Sequence, residues 1–256
     1  MDSGLNGAMV LVTGGAGGIG TEIVRAFARE GARVAVHYHT SSDEAKVLAD
    51  EVGGVAIGAD LTREDQAGAL IPTAVDVMGG LNICIANAGW YPLDDQPVWD
   101  IPLERWRAVM DRNLTATFLT AKGFLRHAAS TLRGSLVMVG STAGQFGEAG
   151  HADYAAAKGA IMSGLLLSLK NEAARIGDGV RVNAVAPGWT VTPKRAAAGI
   201  DPEHVESATA TMSRKQLATP GDVALQVVVL ASDVLSPHQT GQIVTVAGGM
   251  EGRLIP

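Results

Sequence analysis

Short, almost wholly apolar runs alternate along this chain with amphipathic stretches of helical period. The apolar runs lack the polar–apolar alternation of half-exposed strands, and are typical of parallel strands covered on both faces. Strand–helix alternation of this kind predicts a doubly wound α/β fold, a parallel sheet with helices on both faces. We predict strands at 8–13, 33–38, 55–59, 81–86, 135–140, 180–186 and 242–246, and helices near 19–30, 42–52, 63–78, 103–130, 152–176 and 221–232.

One long polar stretch, residues 189–219, breaks this rhythm. It lies between Pro187-Gly188 and Pro220-Gly221. We predict a lid of short helices over a site, with a plain surface excursion as the alternative. The chain shows no internal repeat or linker, so residues 1–256 are predicted to form one domain.

Composition narrows the class of protein. Of 256 residues, 47% are apolar and 18% charged, which is enough for a buried core. A net charge of −6 without a basic cluster argues against nucleic acid or a membrane surface as partner. The only cysteine, Cys84, lies in an apolar run, so we expect a buried thiol and a reducing, cytoplasmic compartment. We expect neither a signal peptide nor a membrane-spanning helix.

A glycine-rich segment, TGGAGGIG at 13–20, follows the first predicted strand and opens a helix. Glycines there permit a tight turn and let backbone N–H groups approach a pyrophosphate at the helix N-terminus. We therefore predict a dinucleotide-binding loop; a tight turn without a ligand is the alternative. Its candidate residues are Gly14, Gly17, Gly18, Ile19 and Gly20.

The segment YAAAK at 154–158 places a tyrosine and a lysine four residues apart. The three alanines favour a helix, and positions i and i+4 share one helical face. The ammonium of Lys158 is therefore expected to lower the pKa of the Tyr154 phenol, which would suit a proton donor. Taken alone, the pair equally suits an ordinary surface helix.

Together these motifs resemble the short-chain dehydrogenase/reductase family, in its compact branch of roughly 250 residues. The pattern TGxxxGxG is joined to YxxxK, and further matches follow in the family's order over nearly the whole chain. One departure is Ala86, where the family often has a second asparagine before Asn87. The further matches are Asp60-Leu61, Asn87-Ala88-Gly89, Asn113, Ser141, and Pro187-Gly188 with Thr192.

The resemblance implies a Rossmann fold and hydride transfer between a nicotinamide cofactor and a secondary alcohol or ketone. It implies that Tyr154 exchanges the proton and that Lys158 lowers its pKa and holds the ribose. It also implies that Ser141 hydrogen-bonds the substrate carbonyl, and that Asn113 supports a water-linked relay through Lys158. Ser141 alone would suit a cap or turn, and Asn113 alone a solvent-facing position.

The end of the second strand bears on the choice of cofactor. An acid there would bind the 2′-hydroxyl of NAD and repel the phosphate of NADP, but this chain has Tyr38. His39, Thr40 and Ser41 are potential phosphate donors, whereas Gly17 stands where many NADP-using relatives carry a basic residue. We favour NADP(H) over NAD(H). The resemblance adds Asp60 and Leu61 at the adenine, Asn87, Ala88 and Gly89 at the ribose, and Pro187, Gly188, Thr190 and Thr192 at the nicotinamide.

Substrate contacts are expected from loops at the carboxyl ends of the strands. An aromatic setting would suit a cyclic or otherwise apolar carbonyl compound, although lid packing explains the same residues. The six histidines are scattered, so no metal site is predicted. The substrate candidates are Trp90, Ser141, Gln145, Phe146, His151 and Trp189.

Three functions remain open. The first is an NADP(H)-dependent alcohol dehydrogenase or carbonyl reductase acting on a small molecule. The second is a 3-oxoacyl-carrier-protein reductase, which the C-terminal TGQIVTVAGGM resembles; its carrier would need a basic docking surface, for which Arg126, Arg133 and Arg175 are available. The third is a non-catalytic dinucleotide-sensing protein. The family also suggests a homotetramer formed through the helices at 103–130 and 152–176.

Overall fold

A single seven-stranded parallel sheet organises the chain in the computed structural model, which describes residues 2–197, 199 and 201–253. The strand order is β3-β2-β1-β4-β5-β6-β7, and every neighbouring pair is parallel. This confirms the predicted doubly wound fold. The strands are β1 Met9–Val12, β2 Arg33–Tyr38, β3 Val55–Gly58, β4 Ile83–Ala86, β5 Arg133–Val139, β6 Gly179–Pro187 and β7 Ile243–Val246.

Helices cover both faces of this sheet. The helices α1, α2 and α11 pack on one face, and α3, α5 and α8 on the other. No helix among the described residues is long and apolar enough to cross a membrane. The helices are α1 Gly18–Arg29, α2 Ser42–Val52, α3 Glu64–Met78, α4 Leu103–Met110, α5 Ala116–Thr131, α6 Ala143–Phe146, α7 Ala152–Gly159, α8 Leu166–Ile176, α9 Pro193–Ala197, α10 Pro202–Thr209 and α11 Pro220–Ala231.

Successive residues of a strand belong to two separate hydrophobic layers, one on each face of the sheet. Leu136 and Met138 of β5 face α3, α5 and α8, whereas Val137 faces α1, α2 and α11. Both faces of a central strand must therefore be apolar, which explains the unbroken apolar runs in the sequence. Cys84 of β4 is fully buried in the first layer, and burial raises the pKa of its thiol, as expected of an inert residue.

The predicted strands and principal helices are confirmed, with strand ends that differ by at most two residues. Two long helices differ from expectation, because π-helical segments at Asp111–Thr115 and Ala160–Leu165 interrupt them. A π turn changes the hydrogen-bond register while leaving the apolar pattern helical, so the pattern does not reveal it. The helix α6 and a 3₁₀ turn at Val98–Asp100 were not predicted either.

The segment 189–219 leaves the sheet after β6 and carries α9 and α10. Its two ends are held together, since Val191 N–H donates to Ala218 O (2.9 Å) and Ala218 N–H to Trp189 O (2.9 Å). Met212 near its far end packs with Ala247 and Met250 of the C-terminal tail. Its short helices agree with the sequence expectation, but action as a lid stays a prediction. Ala198 and Ile200, within the predicted lid, lie outside the described residues.

Stability is expected to depend strongly on Phe124 of α5. Its side chain is 0% exposed and packs against the start of β5. Phe124→Ala should lower the free energy of unfolding by about 3–5 kcal/mol, because it removes apolar contact and leaves a cavity. Urea unfolding measures this loss. The control is Phe146→Ala, since Phe146 is 41% exposed and should lose far less. Equal losses in the two variants would contradict this assignment of the core.

Candidate active site

A cavity of about 810 Å³ opens at the edge of the sheet where the parallel strands end. Loops that follow β1, β2, β3, β4, β5 and β6 form its wall. Every residue predicted to bind the cofactor lies in this wall, and so do the four predicted catalytic residues. The predicted residues in the wall are Gly14, Gly17, Gly18, Ile19, Gly20, Tyr38, His39, Thr40, Ser41, Asp60, Leu61, Asn87, Ala88, Gly89, Asn113, Ser141, Tyr154, Lys158, Pro187, Gly188, Thr190 and Thr192.

The glycine-rich loop has the shape of an anion cradle. Gly14 has a left-handed φ of +60°, and a Cβ at Gly20 would overlap the carbonyl oxygen of Gly14, so both positions require glycine. Helix α1 begins with no capping side chain and no acidic residue in its first turn. Its first N–H groups are therefore available to a phosphate, and the loop fits the pyrophosphate of a dinucleotide.

Hydrogen bonds from two other strands fix this loop. Thr13 Oγ1 accepts the N–H groups of Asn87 and Ala88, each at 3.0 Å. Nδ2 of Asn87 donates to the carbonyl oxygens of Thr13 (2.9 Å) and Gly14 (3.1 Å). The amide group of Asn87 thus ties the end of β4 to the loop, and no residue that the structure describes donates to its Oδ1.

A buried histidine, His37 of β2, supports the same loop from below. Its Nδ1 accepts the N–H of Gly14 (3.0 Å), and its Nε2 donates to Ala59 O (3.1 Å). Burial lowers the pKa of His37 to about 4, so the ring is neutral near pH 7. No sequence signal singled out His37, because an apolar strand with one histidine gives no sign of which partners the ring will find.

Polar side chains surround the cavity at the ends of β2 and β3. The ring of Tyr38 packs over Gly58, where an added Cβ would lie 2.9 Å from Cζ. Asp60 accepts hydrogen bonds from the hydroxyl and N–H of Thr62, and these lower the pKa of its carboxyl. His39 Nε2 lies 3.7 Å from Asp60 Oδ2. This end of the cavity therefore holds one carboxylate, in the loop after β3, and none at the end of β2.

Tyr154 and Ser141 meet at the other end of the cavity. Tyr154 lies on α7, and the hydroxyl of Ser141, in the loop after β5, acts on its phenol as a hydrogen-bond donor that lowers the pKa of the phenol. Ser141 Oγ also accepts the N–H of Ala143 (3.1 Å), so α6 fixes its direction. A hydroxyl pair held in this way can donate to one oxygen atom placed in the cavity.

The prediction that Lys158 lowers the pKa of the Tyr154 phenol is wrong for this chain by itself. Burial raises the pKa of Tyr154 to about 12, although the Ser141 hydrogen bond acts in the opposite direction. Lys158 Nζ lies 5.6 Å from the centroid of the Tyr154 ring and donates instead to Val139 O (3.0 Å). The desolvation of the phenolate therefore outweighs the attraction of a cation at this distance.

Lys158 is itself buried, at 3% exposure, and burial lowers the pKa of its ammonium to about 8. One of its three protons is used by Val139 O, and the ammonium lies beside Gly89. A Cβ at Gly89 would lie 3.3 Å from Lys158 Nζ and 2.8 Å from Asn113 Oδ1. Glycine at this position thus leaves room for both polar groups.

Asn113 lies within the first π segment and is fully buried. Its Nδ2 donates to Trp90 O (2.8 Å) and Val109 O (3.0 Å), and its Oδ1 accepts the N–H of Trp90 (3.1 Å). The asparagine therefore anchors the loop after β4 as well as facing Lys158. π turns are frequent at functional sites, where they turn one side chain inward.

Helix α7 is held at its start by a buried ion pair. Nε of Arg105 lies 2.8 Å from Oδ2 of Asp153, which is 0% exposed, and Asp153 Oδ1 accepts the N–H of Tyr154 (2.8 Å). Arg105 also donates to Asp94 O, Gly150 O and the side chain of Gln96. This network ties α4 to the residue before the tyrosine.

The predicted substrate residues divide into two sets. Trp90, Trp189 and Ser141 lie in the cavity wall, but Gln145, Phe146 and His151 do not. Nε2 of Gln145 donates to Thr245 Oγ1 (3.1 Å), and Phe146 is largely exposed. His151 is buried behind the wall, where it stacks on Tyr91 and donates to Pro92 O (3.1 Å).

Several charged residues of the wall were not predicted. Glu148 Oε1 accepts the hydroxyl of Tyr91 (2.9 Å) and lies 3.3 Å from Nη1 of Arg253. The guanidinium of Arg112 lies 4.7 Å from the Trp90 ring, whereas Arg195 and Arg253 lie 5.8 and 4.9 Å from that of Trp189. These residues are distant in sequence, so only folding brings them together.

Comparison with known proteins shows which family and which enzymes this chain is similar to. A family model described as Enoyl-(Acyl carrier protein) reductase matches residues 14–251. The 3-oxoacyl-(acyl-carrier-protein) reductase of Vibrio cholerae is 34% identical over 96% of this chain and 98% of its own. The cis-4-hydroxycyclohexanecarboxylate dehydrogenase of Sinomonas cyclohexanicum is 34% identical (94% and 95%), and the glucose 1-dehydrogenase 2 of Bacillus subtilis is 31% identical (96% and 95%).

The buried His37 should make stability depend on pH. Its pKa is about 4 in the folded chain and 6.5 ordinarily, so between these values the unfolded chain binds a proton that the folded chain does not. The free energy of unfolding should therefore fall as pH falls from 6.5 to 4, by up to about 3 kcal/mol. Urea unfolding of wild type and His37→Asn across this range measures the difference. Parallel pH curves for the two proteins would contradict the neutral, buried ring.

Proposed function

The chain belongs to the short-chain dehydrogenase/reductase family, and from this membership and the geometry of the cavity we propose that Tyr154 is its general acid and base. The reaction interconverts a secondary alcohol and a ketone with a nicotinamide cofactor. The observation that carries this proposal is the convergence of Tyr154, Ser141, Lys158 and Asn113 on one wall of the cavity. These four groups come from α7, the π segment at Asp111–Thr115 and the loop after β5, and they supply a proton donor, an oxygen-binding hydroxyl and a relay.

When bound, the reduced cofactor supplies a hydride to the carbonyl carbon. The residues of the chain then act on the oxygen. Ser141 and Tyr154 donate hydrogen bonds to it, and the Tyr154 proton moves to that oxygen as the C=O π electrons become the electron pair of the new O–H bond. With a pKa of about 12, the phenol is protonated at neutral pH, which is the form that reduction requires.

The resulting phenolate needs a new proton before the next turnover. Lys158 can supply it, because its ammonium is mostly protonated below its pKa of about 8 and lies 5.6 Å from the centroid of the Tyr154 ring. Asn113 Oδ1 and Lys158 Nζ both lie beside Gly89, and the side-chain oxygen can hold a water molecule there. We propose that this pair returns a proton from solvent to Tyr154. In the oxidative direction the same groups carry a proton outward.

The tyrosine has a direct test. Tyr154→Phe should lower kcat on a ketone by about 10²- to 10⁴-fold, because the proton donor is lost. The same variant should bind reduced cofactor nearly as tightly as wild type. Steady-state kinetics and a fluorescence titration measure the two effects. Tyr91→Phe is the matched control, with a smaller loss expected, since Glu148 already binds the Tyr91 hydroxyl. Turnover of Tyr154→Phe at the wild-type rate would refute the proposed role.

For the cofactor we propose NADP(H) over NAD(H). The support is the absence of a carboxylate at the end of β2, where Tyr38 stands and His39, Thr40 and Ser41 line the cavity. These side chains can donate hydrogen bonds to a phosphate, and β2 itself ends without a carboxylate that would repel it.

A charge introduced at Tyr38 tests this preference. Wild type should bind NADPH more tightly than NADH, as read by energy transfer from tryptophan to the reduced nicotinamide. Tyr38→Asp should weaken NADPH binding by at least about tenfold with little change for NADH, because a carboxylate repels the 2′-phosphate. Tyr38→Phe is the control that changes the side chain without adding charge. A wild-type preference for NADH would overturn the proposal.

A carrier-linked 3-oxoacyl reductase is the second candidate, favoured by the Vibrio cholerae relative. Its docking surface would need cations near the cavity. Arg133 begins β5, Arg175 is in the last turn of α8, and Arg126 lies in the later half of α5, all toward the amino edge of the sheet. The cavity opens at the opposite edge, so these three arginines do not form a docking surface at its mouth; the arginines that line the cavity are Arg112, Arg195 and Arg253. A dinucleotide-sensing protein without turnover is the distant alternative, and a ketone panel with NADPH distinguishes it.

We further propose a homotetramer assembled through α4, α5 and α8. Large apolar side chains are exposed on these helices, with Leu103 at 59%, Phe118 at 45% and Leu167 at 43%. Exposed apolar residues grouped on long helices are typical of helix–helix interfaces. A cytoplasmic location is proposed on cysteine usage alone, since the single thiol is buried in the core.

A further inference from the structure

The substrate end of the cavity is strongly cationic, although the chain as a whole carries a net charge of −6. Four basic side chains lie in this part of the wall, and the carboxylate that accompanies them is Glu148. The other acid of the wall, Asp60, lies at the distant end beside His39 and Thr62. The four basic residues are Arg112, Lys158, Arg195 and Arg253.

The charge of Glu148 is already compensated. Its Oε1 accepts the Tyr91 hydroxyl and lies 3.3 Å from the Arg253 guanidinium, and its side chain is only 8% exposed. The other terminal nitrogen of the Arg253 guanidinium, Nη2, donates to Thr142 Oγ1 (3.1 Å). Nε of Arg253 is buried and lacks a hydrogen-bond partner among the described residues. A buried, unsatisfied donor of this kind is costly unless a ligand accepts its proton.

Arg195 has no compensating acid. Within the described part of the chain, no carboxylate lies within 4.0 Å of its guanidinium. Its guanidinium lies 5.8 Å from the centroid of the Trp189 ring, and that of Arg253 lies 4.9 Å from the same ring. Two guanidinium groups therefore lie beside one indole of the cavity wall, where they supply positive charge and N–H donors. Planar arginine forks suit two-oxygen anions better than lysine does.

We infer that the substrate carries a carboxylate, bound by Arg195 and Nε of Arg253 beside Trp189, at a distance from its alcohol or ketone carbon. The apolar body between the two groups lies against the indoles of Trp90 and Trp189, which both line the cavity. The substrate class is thus a hydroxy or oxo acid with an apolar, ring-sized body. This inference rests on the proposed function, since it concerns the same cavity.

Binding of two unreactive probes tests the carboxylate site without turnover. Cyclohexanecarboxylate and the neutral cyclohexanecarboxamide have the same ring, and ligand-observed NMR titration of the protein with NADPH gives the affinity of each. The carboxylate should bind about 10- to 100-fold more tightly, the ratio typical of a charge-assisted hydrogen bond. Arg195→Gln should abolish most of that ratio. Arg195→Lys should keep part of it, because it retains the charge and loses the fork.

The matched control is Arg107→Gln, since Arg107 is exposed on α4 and outside the cavity wall. It should leave the ratio unchanged. Equal binding of the two probes to wild type, or no binding of the carboxylate, overturns the inference. An unchanged ratio in Arg195→Gln does the same. Weaker NADPH binding by Arg195→Gln together with an unchanged ratio would instead assign this arginine to the cofactor.

The two proposals fail separately. Tyr154→Phe should retain the discrimination between the probes while it loses turnover, because the phenol contacts the other end of the substrate. Loss of discrimination in Arg195→Gln does not depend on whether Tyr154 transfers a proton. If discrimination is present and Tyr154→Phe turns over normally, the catalytic proposal alone is wrong.

Discussion

Because all seven strands run in one direction, each of the first six is followed by a loop at the same edge of the sheet, and those loops meet there. This constraint places the glycine-rich loop after β1, Asn87 after β4 and Ser141 after β5 around one cavity. The sheet can hold that arrangement only because its inner strands are apolar on both faces and helices cover them. The position of each functional side chain follows from this packing. It fixes Thr13 and Ser141 alike, although they are far apart in the sequence.

Burial then sets the acid–base properties of the groups so assembled. The phenol of Tyr154, the ammonium of Lys158 and the ring of His37 are all shifted toward their neutral forms, and desolvation is the first cause in each case. At neutral pH the Tyr154 phenol and the His37 ring are therefore neutral, while the Lys158 ammonium is still mostly charged. Any charge that enters the cavity changes that balance, since a cation near the phenol favours the phenolate and an anion opposes it.

Charge is distributed unevenly along this cavity. One end has hydroxyls, His39 and Asp60, and the other has guanidinium groups that lie against indole rings. Stacking on an indole holds a guanidinium in place while its N–H groups stay available in the plane, which a carboxylate partner would not permit. The chain as a whole carries a net charge of −6, so this local concentration of positive charge is opposite in sign to the charge of the whole protein. It gives the substrate end a chemical preference separate from the hydride-transfer machinery.

The sequence by itself determined which segments form the sheet, because the apolar runs predicted parallel strands. The glycine-rich loop, Asn87, Asn113, Ser141 and the YAAAK segment predicted residues that line the cavity. These signals are local or have a fixed period, so they survive without coordinates. Tertiary structure alone decided the π turn at Asn113, the neutral His37 beneath Gly14, the raised pKa of Tyr154 and the cluster of Glu148, Arg195 and Arg253. Each of these depends on desolvation or on contacts between residues far apart in the chain, and neither is encoded in spacing.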